Sequence, residues 1–187
     1  MILAGVDIET TGTDPDCNHR IIQIGIYIPS HNVELSYDTQ PEGDIVIDRN
    51  AMAVNKFTLA RIGKATITPL VDYWIRDKLL AAGIKEDSLI AVGWSVGAFD
   101  MQFIKQEMLQ TMDFFTRKGR RVLDLTALAM LYADLSGIPF NAVKNQIHAE
   151  VVKRFRTDKQ HDALWDAQAA IESYNILRDW FTLRNYN

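Results

Sequence analysis

Leu3 to Ile8 is apolar or small at every position except Asp7, in a run too short for a helix, and Thr10-Thr11-Gly12 stops it with turn chemistry. It reads as a buried strand. Arg20 to Ile28 is rich in β-branched and aromatic residues and reads as a second strand. A turn at Pro29-Ser30-His31-Asn32 leads to a third, Val33 to Thr39, giving an antiparallel meander. After a loop over Gln40 to Asp48 the pattern turns helical. Short helices are expected at 51–55 and 58–62. A longer one is expected from Thr66 to Ala82, with Leu70, Tyr73, Trp74 and Leu80 as its core stripe and Gly83 as its stop. Ser88 to Gly93 is a fully apolar strand suited to a sheet centre. A helix follows from about Ala98 to Gln110, turning Phe99, Phe103, Ile104 and Met108 inward. Val122-Leu123 is a short strand, and Asp124 is placed to cap a helix over 125–134. Asn141 to Glu150 reads as helical, and Val151 to Gln160 as a basic, unpatterned stretch. Ala163 to Leu183 is a strong last helix packing Leu164, Ala167, Ala170, Ile171, Tyr174 and Leu177.

Strands first, then strands alternating with helices, predict an α/β fold: a mixed central sheet with an antiparallel opening meander, flanked by helices. A ribonuclease-H-like architecture fits that order. No repeat or linker divides the chain, so residues 1–187 are read as one domain. The 24 acidic against 20 basic residues give a net charge of −4. That balance argues against wrapping a long duplex through phosphate contacts, but not against gripping one end of a nucleic acid. Cys17 is the sole cysteine, which excludes an intrachain disulfide and points to a reducing compartment; with His19 alone it is too little for a zinc site. No apolar run approaches membrane-spanning length and the N-terminus lacks a basic region, so the expected location is cytoplasmic, with no membrane partner.

The chemistry concentrates in carboxylates. Residues two apart on a strand share a face, so Asp7 and Glu9 stand side by side at the end of the first strand. Adjacent carboxylates need a cation, or one must hold a proton, and hard divalent metals such as Mg²⁺ or Mn²⁺ suit them. Asp100 opens a helix just after a buried strand, where open α/β sheets place ligand-binding groups. Asp166 falls in the first turns of the last helix. Five helical residues rotate by about 140°, so His161 belongs to the loop before that helix, free to swing toward whatever Asp166 holds.

Taken together, Asp7-Ile8-Glu9-Thr10-Thr11-Gly12, then Phe99-Asp100, then His161-x-Ala163-x-x-Asp166 resemble the three motifs of the DEDDh, or DnaQ-like, 3′–5′ exonucleases. That family includes polymerase proofreading subunits, oligoribonuclease and RNase T. Arg20 to Gly25 is similar to the family's second strand, Ala53 to Thr58 to a segment between its first two motifs, and Leu123 to Thr126 to one between the last two. The sequence departs from the pattern at Ser95 and Val96, where many members carry His-Asn or another Asn; the side chain of Val96 cannot hydrogen-bond a substrate.

The resemblance implies a metal-dependent 3′–5′ exonuclease that releases nucleoside 5′-monophosphates. Asp7, Glu9, Asp100 and Asp166 would bind two divalent ions, Mg²⁺ or Mn²⁺, with His161 as general base and the Thr10, Thr11 and Gly12 backbone receiving the terminal nucleotide. The implied partner is a nucleic acid with a free 3′ end, taken as single-stranded. DNA or RNA, a homodimer, and any replication or repair partner stay open. Phe103 is read as core by its periodicity, with stacking on a base as the second reading. The basic segments 117–121 and 153–159 are read either as flanks of the cleft that hold phosphates or as solvated loops. The rival function is a catalytically weak exonuclease-fold module that binds nucleic acid or another partner. A second rival is an endonuclease of ribonuclease-H type.

Overall fold

A computed structural model describes residues 2–184; residue 1 and residues 185–187, the ends of the expected domain, lie outside the described residues. The strands are β1 (Ile2–Thr10), β2 (Ile21–Ile28), β3 (Val33–Gln40), β4 (Thr66–Ile67), β5 (Leu89–Gly93) and β6 (Val122–Asp124). The helices are α1 (Arg49–Asn55), α2 (Leu59–Ile62), α3 (Thr68–Ala81), α4 (Asp100–Glu107), α5 (Leu109–Met112), α6 (Leu125–Ser136), α7 (Phe140–Phe155) and α8 (Ala163–Arg184). The strands form one sheet in the order β4-β3-β2-β1-β5-β6. The β1-β2-β3 meander is antiparallel, and β5 and β6 add in parallel on the other side of β1. This is the mixed, helix-flanked sheet that the hydrophobic pattern predicts. Among the described residues no helix is long and apolar enough to cross a membrane.

Alternation along β1 divides the core. Ala4, Val6 and Ile8 face a cluster with Val71, Ile75, Leu79, Phe103 and Ile104 from α3 and α4. On the opposite face α8 lies across the sheet with α6 and α7 outside it, packing Val143, Ile147, Trp165, Ile171 and Leu177. Two glycines let α8 approach the strands. A Cβ built at Gly5 would overlap the Ala167 carbonyl, and one at Gly25 the Ala163 carbonyl. Gly5→Ala is therefore expected to lower the urea midpoint by an amount equivalent to about 1–3 kcal/mol of overpacking. Gly63→Ala, whose added methyl would meet only the Leu59 carbonyl at 3.4 Å, should leave that midpoint close to wild type.

The structure corrects several predicted elements. Thr66 and Ile67 pair with β3, so α3 begins at Thr68. The buried stripe of α3 is Val71, Ile75 and Leu79, while Leu70, Tyr73, Trp74 and Leu80 are 39–45% exposed. Apolar residues occupy both faces of this helix, and the polar Asp72 obscures the true inner one. Its buried carboxylate accepts from the Gln110 and Thr111 amides and so caps α5. The helix expected over 98–110 breaks at Met108, whose φ of −132° is not helical. The helix α7 continues to Phe155 and takes in half of the stretch read as unpatterned.

Candidate active site

The pairing of β1 with β5 ends at Gly5 and Val92, whereas β2 follows β1 out to Thr10. Past that point the β5 side of β1 presents an N–H that no strand takes. Asp100, the first residue of α4, takes it: the Ile8 amide donates to Asp100 Oδ1 at 3.1 Å, and the residue is 4% exposed. The crevice therefore lies beyond the carboxyl ends of β1 and β5, where neighbouring strands part. Asp7 and Glu9 share the face of β1 that Gly5 turns toward α8. Asp166 comes to them because the start of α8 is fixed. Gln23 of β2 accepts from the Ala163 amide at 3.0 Å, and Asp162 caps the helix by accepting from the Trp165 amide at 3.1 Å. Carboxylates from both helical layers thus meet at the end of one strand.

His161 precedes α8 in the left-handed region, at φ +67°. Its amide donates to Asp166 Oδ2 at 2.8 Å, and its Nδ1 stands 3.8 Å from Glu9 Oε1. Ligand atoms of Glu9, His161 and Asp166 lie within 4.8 Å of one another. The loop before His161 is tied to α7 through His148, which is 3.3 Å from Asp158 Oδ2 and 3.1 Å from Gln160 Nε2.

Burial and mutual repulsion raise all four carboxyl groups. Asp7 is pushed well up by desolvation, then by Asp100, Asp166 and Glu9. Desolvation lifts Asp100 to about 8, Glu9 to about 7 and Asp166 to about 6, with neighbouring carboxylates adding to each and backbone hydrogen bonds opposing the rise at Asp100 and Asp166. A cluster of hard oxygens that resists its own ionisation fits divalent cations, which would relieve the repulsion. In the folded chain these groups hold protons that the unfolded chain has released. Their contribution to stability is complete below the ordinary carboxyl range and is lost as pH rises through about 6 to 8. In EDTA the urea midpoint should fall between pH 5 and pH 8 on account of this cluster, and Mn²⁺ at pH 8 should restore it. A midpoint indifferent to Mn²⁺ at pH 8 would argue against a metal centre.

A cleft of about 430 Å³ opens over Asp7, Glu9 and Asp166, walled by them and His161 on one side and by Trp94, Lys144, Asn145 and His148 on the other; the buried Asp100 is not part of its lining. Several sequence expectations change here. Phe103 is fully buried with its ring against Phe99, as its periodicity reads, so the second reading falls: it offers no face to a base. Thr10, Thr11 and Gly12 are buried, and much of their polar capacity is engaged within the chain. Thr10 O accepts from Asn55, Thr11 N donates to Arg20, Thr11 O accepts from Asp48, and Gly12 O accepts from the Thr10 hydroxyl. Val96 is a core residue, while Ser95 bonds Thr126. The basic loop 117–121 leaves the N-terminal end of β5, where Thr116 N donates to Leu89 O, and supplies none of the cleft's lining. In the other basic segment, Arg154 pairs with Glu172 and Lys153 with Glu150. The cation at the cleft is Lys144, which sequence reasoning missed; so was Trp94, although its place directly after an apolar strand was a usable signal.

No protein-family model matches the chain, and no curated protein sequence matches it. Solved structures do. The nuclease domain of 3′hExo, a DEDDh family member, bound to rAMP, aligns with a TM-score of 0.65 and 16% identity over 95% of this chain and 92% of that one. Exonuclease I of E. coli in complex with a dT13 oligonucleotide aligns at 0.67 and 16% over 99% and 43%. The moderately thermophilic Exonuclease I from Methylocaldum szegediense aligns at 0.71 and 18% over 95% and 40%. The chain spans 64% and 62% of two further matches, a 3′-exonuclease recognising the histone mRNA stem-loop and cell-death related nuclease 4. The fold is that of the ribonuclease-H-like exonucleases, and the resemblance read from the three motifs is borne out at that level.

Proposed function

We propose that this chain is a metal-dependent 3′–5′ exonuclease acting on single-stranded nucleic acid and releasing nucleoside 5′-monophosphates. The observation that carries the reading is the convergence of Asp7, Glu9, Asp100 and Asp166 at the end of β1, with His161 against Glu9 and Asp166. The four carboxylates would hold two divalent cations, Mg²⁺ or Mn²⁺. A bound metal pair supplies charge stabilisation for the attacking water and the leaving oxygen of a phosphodiester. The chain's own residues do the rest. Asp100, anchored by the Ile8 amide, fixes one side of the site, and Asp166, positioned by the start of α8, fixes the other. His161 stands at the mouth of the cleft as the group that accepts the water's proton, general-base work that an imidazole does more often than any other side chain.

The direct test is digestion of matched 5′-labelled single-stranded DNA and RNA oligonucleotides with Mg²⁺ or Mn²⁺, in parallel with EDTA. A metal-dependent ladder shortening from the 3′ end is expected, and blocking the 3′ end should stall it. Cleavage that ignores the block would identify an endonuclease, and Mn²⁺ binding without cleavage of either substrate would leave a binding module. A further outcome concerns the loop that carries His161. His148→Ala removes its tie to Asp158 and Gln160 and should slow turnover about tenfold, since small misplacements of a reacting group carry large kinetic costs. KM and Mn²⁺ binding should hold, and His148→Gln, which keeps a hydrogen-bonding side chain there, should recover part of the loss. Unchanged turnover in His148→Ala would show that the tie does not position His161.

A further inference from the structure

The second wall of the cleft has a chemistry of its own. Trp94 leaves the C-terminal end of β5, and Lys144 projects from the second turn of α7. The ammonium lies 5.4 Å from the centre of the Trp94 ring, and both side chains line the same cleft as Asp7, Glu9 and Asp166. Among the described residues Lys144 forms no ion pair with a carboxylate, whereas Lys153 and Arg154 of the same helix each do. Asn145 and His148 continue this wall toward Gln160. A ligand here meets a cation and a half-buried indole on one side and an acidic centre on the other.

We propose that Trp94 and Lys144 form a nucleotide subsite beside the carboxylate centre, with Lys144 contacting a phosphate and Trp94 stacking on a base. The inference rests on the proposed nuclease function and names the residues that would hold the strand there. A nucleic acid strand offers phosphate and planar base in alternation, which is what an ammonium beside an indole can take together. The acidic wall cannot itself hold a phosphate without cations, so a fixed positive charge across the cleft gives the strand a purchase independent of the metal. Lys144 also sits on a helix that packs on α8 through Val143 and Ile147, so its position is set by the same core that sets Asp166. This assignment replaces the basic loops as the phosphate-holding element. It also puts an aromatic at the cleft directly before Ser95 and Val96 in the chain, where the sequence lacks the polar residues many exonucleases of this kind carry.

The test uses the full chain carrying Asp7→Asn to suppress cleavage, with a 5′-labelled single-stranded oligonucleotide and fluorescence anisotropy across a salt series in Mn²⁺. Removing one phosphate contact lowers the slope of log affinity against log salt by about 0.7 for a single strand. Lys144→Met is expected to show that change with a several-fold loss of affinity, and Lys144→Arg to keep the slope. Trp94→Leu should weaken binding about tenfold through lost stacking, with the slope unchanged, and Trp94→Phe should retain most of the affinity. Lys144 is exposed on a helix surface, and thermal melts of each variant confirm folding. If Lys144→Met keeps the parental slope and Trp94→Leu the parental affinity, while the unmutated chain still digests oligonucleotides, the subsite is overturned and the nuclease reading stands. If the unmutated chain neither binds nor cleaves any oligonucleotide, both fall together.

Discussion

Asp7→Asn is expected to lower the rate of 3′-end digestion by three or more orders of magnitude while leaving the fold intact. Asp7 is the carboxylate on which the others converge: Asp100, Asp166 and Glu9 all raise its pKa. It sits on β1, the strand that the rest of the sheet is built around. An amide keeps the shape and one oxygen but removes the charge that would hold divalent cations. Several kcal/mol of transition-state stabilisation depend on such ions, and each 1.36 kcal/mol is a factor of about ten in rate. The change should not destabilise the metal-free protein. Ionised Asp7 is repelled by its neighbours, so at pH 8 in EDTA the variant should melt at or above the wild-type temperature. Calorimetry with Mn²⁺ should show weakened or lost binding. Retained full activity would remove the carboxylate cluster from the mechanism; lost activity with a collapsed melt would mean only that the fold had failed.

The second large effect is expected at His161. His161→Ala should slow turnover by about 10²–10⁴, the usual span for removing a general base, and should leave Mn²⁺ binding nearly unchanged. The geometry makes this a sharp choice. Nδ1 of His161 is 3.8 Å from Glu9, close enough to Asp166 for the three side chains to share one ion. If His161 is a ligand, affinity for Mn²⁺ falls in step with rate. If it is the base, rate falls alone. Its exposed position on a loop in the left-handed region favours the second result. A group that must give up its proton again has to remain in exchange with water, whereas the carboxylates are held by strand and helix.

Much of this arrangement was legible in the sequence because it is set by short-range physics. Strand periodicity puts Asp7 and Glu9 on one face whatever lies around them. The apolar runs at 21–28 and 89–93 can be little other than central strands, and Asp124 caps α6 as its residue type suggests. His161 falls on the loop before α8, as the helical rotation between it and Asp166 requires. The tertiary structure decided what depends on which faces meet. α3 buries Val71, Ile75 and Leu79 instead of its aromatics because the sheet and α5 lie on that side. Asp100 is joined to β1 by a hydrogen bond spanning 92 residues, at the point where β5 stops pairing, and no local pattern could announce it. Gly5 and Gly25 gain their role only once α8 is laid across the strands. The wall of Trp94 and Lys144 exists only because α7 packs so that Lys144 reaches the Trp94 ring just past the end of β5, a meeting that no local pattern announces. The sequence by itself determined the strands, the caps and the chemical types at the site; only the packing of α3, α7 and α8 on the sheet decided which residues face the cleft, because burial is a property of the partner surface as much as of the residue.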